Sequence, residues 1–86
     1  MTLEEILRRA EIERKLRSTS SESYELKGAL RDYEVLSNSS LSMQEKAERL
    51  GLSKDFVRKE IYALRRYKLL NFEEIKKYRT MLRLQT

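Results

Sequence analysis

Eighty-six residues with 19 Lys and Arg against 14 Asp and Glu make one small basic domain, net +5 at pH 7. The absence of Cys and His excludes a disulfide scaffold, a thiolate metal site and a His-dependent catalytic triad. No stretch approaches the roughly 20 apolar residues of a membrane span, and the start Met1-Thr-Leu-Glu-Glu-Ile is acidic where a signal peptide is basic.

Two Gly, no Pro and many Leu, Glu, Lys and Arg predict an all-α fold of four to five helices. The first helix is expected over residues 2–17, with Thr2 as cap and Glu5 three residues on. Leu3, Ile6, Leu7 and Ala10 share one face, and Ile12 and Leu16 fall nearly opposite. Two apolar stripes on one helix suit two surfaces, its own domain and a second subunit. Ile12 and Leu16 are therefore candidate dimer contacts, the alternative being a frayed or bent helix end.

The second helix is expected over residues 23–36, between the serine clusters at 18–21 and 37–40, with a core stripe of Leu26, Ala29, Leu30, Tyr33 and Leu36. Ser42 and Glu45 form a capping box for a third helix that runs through Leu50 and stops at Gly51. Ser53 then caps a fourth, which extends to about Lys68. On that helix Phe56, Val57, Ile61, Leu64 and Tyr67 lie to one side. Lys54, Asp55, Arg58, Lys59, Tyr62, Arg65 and Arg66 lie to the other, five bases against one acid. A solvated helix face usually mixes its signs, so this face points to a polyanion.

The segment from Met43 to Tyr62 resembles the twenty-residue helix-turn-helix motif of DNA-binding regulators, over about a quarter of the chain. Ala47 stands at the small position, Gly51 at the turn, and Leu50, Leu52, Val57 and Ile61 at buried positions; Lys46 and Glu60 depart from the pattern, which favours apolar or small residues there. The resemblance implies sequence-specific binding of double-stranded DNA, with the helix beginning after Ser53 in the major groove. Its implied DNA contacts are Lys54, Asp55, Arg58 and Lys59 at base edges, Tyr62, Arg65 and Arg66 at phosphates, and Ser42, Gln44 and Ser53 at helix N-termini that suit phosphate oxygens. A regulator of this kind reads a palindrome as a homodimer. Plasmid centromere-binding proteins and phage packaging subunits use the same motif, so DNA segregation or packaging is the alternative role. A helical module binding an acidic protein is a further alternative.

Beyond Leu70, Asn71 and Glu74 suggest a capped fifth helix over 72–84, with Ile75, Tyr78 and Leu82 at helical spacing. The alternative is a wing, with strands at 71–75 and 80–85 and Lys76, Lys77 and Arg79 at the tip. A tight hairpin prefers Gly, Asn or Asp in its turn, and the turn at 76–79 has none. Either way Lys76, Lys77, Arg79 and Arg83 add positive charge, Lys76 and Lys77 being candidate DNA contacts, and in the helical reading Tyr78 and Leu82 are candidate dimer contacts.

Residues 1–41, with seven bases and eight acids, form the expected scaffold and dimerisation part, whereas residues 42–86 hold twelve bases and six acids. The latter divide into the motif at 42–68 and the C-terminal helix or wing at 69–86. The expectation is thus a single domain, not an enzyme, with no cofactor and no metal. Its expected partners are double-stranded DNA and a second copy, with no membrane, in a cytoplasmic, nucleoid-associated location.

Overall fold

The computed structural model describes residues 1–85. Six helices and no strand are found among them: α1 (Leu3–Arg17), α2 (Ser21–Arg31), α3 (Tyr33–Leu36), α4 (Met43–Leu50), α5 (Lys54–Arg66) and α6 (Phe72–Leu84). Most of them start at a side-chain cap, worth about 1 kcal/mol each. The Thr2 hydroxyl accepts from the Glu5 amide at 3.2 Å, Ser20 from Ser23 at 3.2 Å, Ser53 from Phe56 at 3.1 Å, and the Asn71 carbonyl oxygen from Glu73 at 2.8 Å. At α4 both arms of the box form, the Glu45 amide donating to the Ser42 hydroxyl at 3.1 Å and the Ser42 amide to the Glu45 carboxylate at 3.0 Å.

Four to five helices becomes six because the expected second helix is interrupted at Asp32. That residue has ψ near 9° and separates α2 from α3. Its carboxylate is held by Arg31 at 2.9 and 3.0 Å and is itself buried. The Asp32 side chain makes no cap bond to α3, and beyond the break Leu36 is buried in the core. The helix also starts earlier than expected, at Ser21, because Ser20 is the cap. The wing reading is overturned: residues 72–84 are helical, which places Lys76, Lys77 and Arg79 within α6 rather than at a hairpin tip.

Helix α2 is the centre of the bundle and packs on α1, α5 and α6. Ile12, Leu16, Leu26, Ala29, Leu30, Val57, Leu69, Ile75 and Tyr78 have almost no exposed surface and belong to one core cluster. The two stripes of α1 therefore exchange roles. Ile12 and Leu16 seal the core, while Leu3, Ile6 and Leu7 face solvent. Tyr78 is likewise interior and Leu82 packs partly buried against the same cluster. The expected dimer contacts Ile12, Leu16 and Tyr78 are thus spent within the subunit.

Long cations tie the helix ends together. The Arg79 guanidinium donates to the Leu30 and Arg31 carbonyls at 2.7 and 3.2 Å and to the Glu34 carboxylate at 2.9 and 2.6 Å. It thus satisfies carbonyls that the last turn of α2 leaves without helical donors. Arg8 does the same for α5, donating to the Tyr67 carbonyl at 2.9 Å and to Glu74 at 3.2 Å. Lys46 donates to the Leu36 carbonyl at 2.9 Å, closing α3. No helix among the described residues is long and apolar enough to cross a membrane.

Candidate nucleic-acid interface

Three residues, Gly51 to Ser53, connect α4 to α5. Gly51 takes φ 65° and ψ 32°, a left-handed conformation that a residue without Cβ adopts at little cost. The Leu52 amide then reaches back to the Ala47 carbonyl at 3.0 Å, closing α4. Ala47 is buried, and its small side chain lets α5 approach α4. The inner side of α5, formed by Val57, Glu60, Ala63 and Leu64, is buried. Its outer side is open. Lys54, Asp55, Arg58, Lys59, Tyr62, Arg65 and Arg66 are all exposed, as are Ser42, Gln44 and Ser53 beside the two helix starts.

At 100° per residue the seven outer positions fill one continuous arc of α5 with Tyr62 near its middle, 63% exposed. Arg58 donates to Asp55 at 2.8 Å within the helix. Both groups are solvated, so this pair is weak and can be exchanged for another partner. Gln44 donates to Glu48 at 3.2 Å along α4.

The borders of the arc differ. On one side Leu36, Met43, Lys46, Arg58, Ile61, Tyr62 and Arg65 line a groove of about 520 Å³ with an apolar floor and a basic rim. On the other, Tyr62 and Arg66 abut Glu22 and Glu25 of α2 in a crevice of about 30 Å³. Lys15, 2.6 Å from Glu22, holds that carboxyl below the usual range, and Arg66 adds to the effect. The Arg58–Arg65 edge thus gains Lys46, whereas the Arg66 edge meets Glu22 and Glu25.

Lys76 and Lys77 are exposed on α6. The Lys76 ammonium lies 4.9 Å over the Phe72 ring, and that ring tilts against Tyr33 at 6.2 Å. This places Lys76 at the start of α6 near α3, on a different element from the arc. Arg79 is committed to the end of α2. Lys46 and Met43, the groove residues, were not among the expected contacts. The apolar preference of the motif at Lys46 hid a side chain that runs along the groove to the Leu36 carbonyl.

The second departure from the motif, Glu60, is fully buried. Neither carboxyl oxygen has a hydrogen-bond partner. Burial, and secondarily the Asp32 carboxylate, pushes its pKa up to about 8, opposed by Arg31. Gly28 leaves room for it: a Cβ there would meet Glu60 Oε2 and force the carboxyl to shift. Among the described residues no three His, Cys, Asp or Glu side chains converge as metal ligands would.

Compared with protein families, curated proteins and solved structures, the chain finds no match.

Proposed function

We propose that the chain binds double-stranded DNA by placing α5 in the major groove, as a helix-turn-helix protein does, and that it acts as a two-fold pair in transcriptional regulation, with DNA segregation or packaging as the alternative role. The observation that carries this reading is the exposed arc of α5: five bases, one acid and a central Tyr on the side turned away from the core. The major groove admits one α-helix, whose first turns meet base edges. Lys54, Asp55, Arg58 and Lys59 occupy those turns, and Tyr62, Arg65 and Arg66 follow at the depth of the phosphates. Arg58 suits bidentate contact with a guanine. The Ser42 and Ser53 helix starts, both exposed, offer N–H groups to the phosphate chain.

A second reading rests on the groove beside the arc. Its apolar floor of Leu36, Met43 and Ile61 under Lys46, Arg58 and Arg65 suits an acidic amphipathic helix of another protein. Selecting bound duplexes from a random pool separates the two. Enrichment of a palindrome supports DNA reading by a pair. Recovery of unselected sequence rejects sequence-specific reading but keeps DNA as the partner, and recovery of no duplex at low salt rejects DNA and favours the protein partner.

A further inference from the structure

We infer that the solvent face of α1 is the contact with a second copy of this chain, the two α1 helices packing antiparallel about a two-fold axis near Arg8 and Arg9. Leu3, Ile6 and Leu7 are 71%, 50% and 61% exposed on a helix that buries Ile12 and Leu16 on its opposite side. Leu7, Ala10, Glu11 and Arg14 line an open hollow of about 290 Å³ on the exposed side. Their spacing, i, i+3, i+4 and i+7, is that of the hole that receives a side-chain knob from a facing helix.

Charge chooses the occupant and its direction. The first turn of α1 carries Glu4 and Glu5, and the last carries Arg14, Lys15 and Arg17. An antiparallel pair in this register sets Glu4 of one copy near Arg14 of the other and opposes the two helix dipoles, whereas Glu5 lies on the far side of α1 and Lys15 is paired with Glu22. A parallel pair sets like against like. With Leu7 of each copy in the hollow of the other, Leu7 lies across from Ala10 and Leu3 across from the aliphatic stem of Arg14. Residues 3–14 then overlap over about 18 Å. The assignment rests on the DNA-binding reading for its purpose, a two-fold pair on a palindrome, but is measured without nucleic acid, so either can fail alone.

The chain has no Cys, so single cysteines report the register directly. In the antiparallel pair the two Leu3 positions are about 16 Å apart, beyond the roughly 7 Å that a disulfide spans between Cα atoms. Leu3→Cys mixed with Arg14→Cys is expected to give a mixed disulfide under mild oxidation, while either variant alone gives little dimer. Leu7→Glu, at an exposed position, is expected to reduce the sedimenting mass to the 10.4 kDa monomer with helicity by circular dichroism unchanged. Predominant Leu3→Cys self-disulfide means a parallel pair and overturns the assignment. So does a wild-type chain that sediments as a monomer, or a dimer that survives Leu7→Glu.

Discussion

Burial raises the proton affinity of Glu60 to about pH 8, while in the unfolded chain the same carboxyl titrates near 4.5. Between those values the folded state holds a proton that the unfolded state has released. The stabilisation is present in full below about pH 4.5 and is lost as pH rises through about 8. The urea midpoint is therefore expected to fall between pH 6 and pH 9. Glu60→Gln removes the titrating group, so it is expected to flatten that slope and raise stability at pH 9 by roughly 1–3 kcal/mol. A variant less stable than wild type at pH 9 contradicts this account of Glu60. Gly28 is its steric partner. In an ordinary helix interior Gly→Ala stabilises by about 1 kcal/mol, but Gly28→Ala is expected to destabilise because the new methyl meets Glu60 Oε2. In a Glu60→Ala background the sign is expected to reverse, which denaturation of the double variant reads out. Lys68 presents the converse case. It sits at φ 55°, a left-handed position occupied without glycine, where the Leu69 amide closes α5 on the Leu64 carbonyl at 2.8 Å. Its pair with Glu4, at 3.4 Å and solvated, adds little. Lys68→Gly is expected to raise stability by roughly 0.5–1 kcal/mol in thermal unfolding.

At the scale of elements, local chemistry was legible and long-range chemistry was not. Thr2, Ser42 with Glu45, Ser53, Asn71 and Gly51 act within three or four residues of themselves, so spacing alone places the starts of α1, α4, α5 and α6 and the end of α4. The outer arc of α5 was legible for the same reason, since helical periodicity assigns its residues to one face. Periodicity also separated the two stripes of α1 but could not say which meets the core. That depends on α2 and on the Arg8 clamp to Tyr67 and Glu74, far along the chain. The role of Arg79 is hidden from spacing because the carbonyls it caps lie nearly fifty residues earlier; the acceptor at 2.7 Å is Leu30. Arg79→Ala is expected to cost roughly 1–3 kcal/mol by leaving the end of α2 without its donors, with little change in DNA affinity per folded molecule. Equal loss in Arg79→Ala and Arg58→Ala would contradict the separation of clamp from interface.

Over the whole molecule the +5 charge is unevenly spread, with the excess after residue 41. The acidic Glu22 and Glu25 border one edge of α5, and Lys46 reinforces the other. A duplex that follows this field lies along the Arg58–Arg65 edge. Two kinds of base follow from this placement. Arg58→Ala is expected to cost roughly 1–3 kcal/mol on the preferred duplex and to relax sequence choice, whereas Lys76→Ala is expected to weaken all duplexes about equally, as titration of matched and unrelated duplexes reads out. The most direct test is the salt dependence of duplex affinity for wild type and for a variant with Arg58, Arg65 and Arg66 changed to Ala. Counterion release predicts that log affinity falls linearly with log salt, and that removing the two phosphate contacts of Arg65 and Arg66 flattens the slope by about 2, while the loss of Arg58 lowers affinity on the preferred duplex. No duplex binding at low salt, or the same slope in the variant as in wild type, would contradict α5 as the surface that meets DNA.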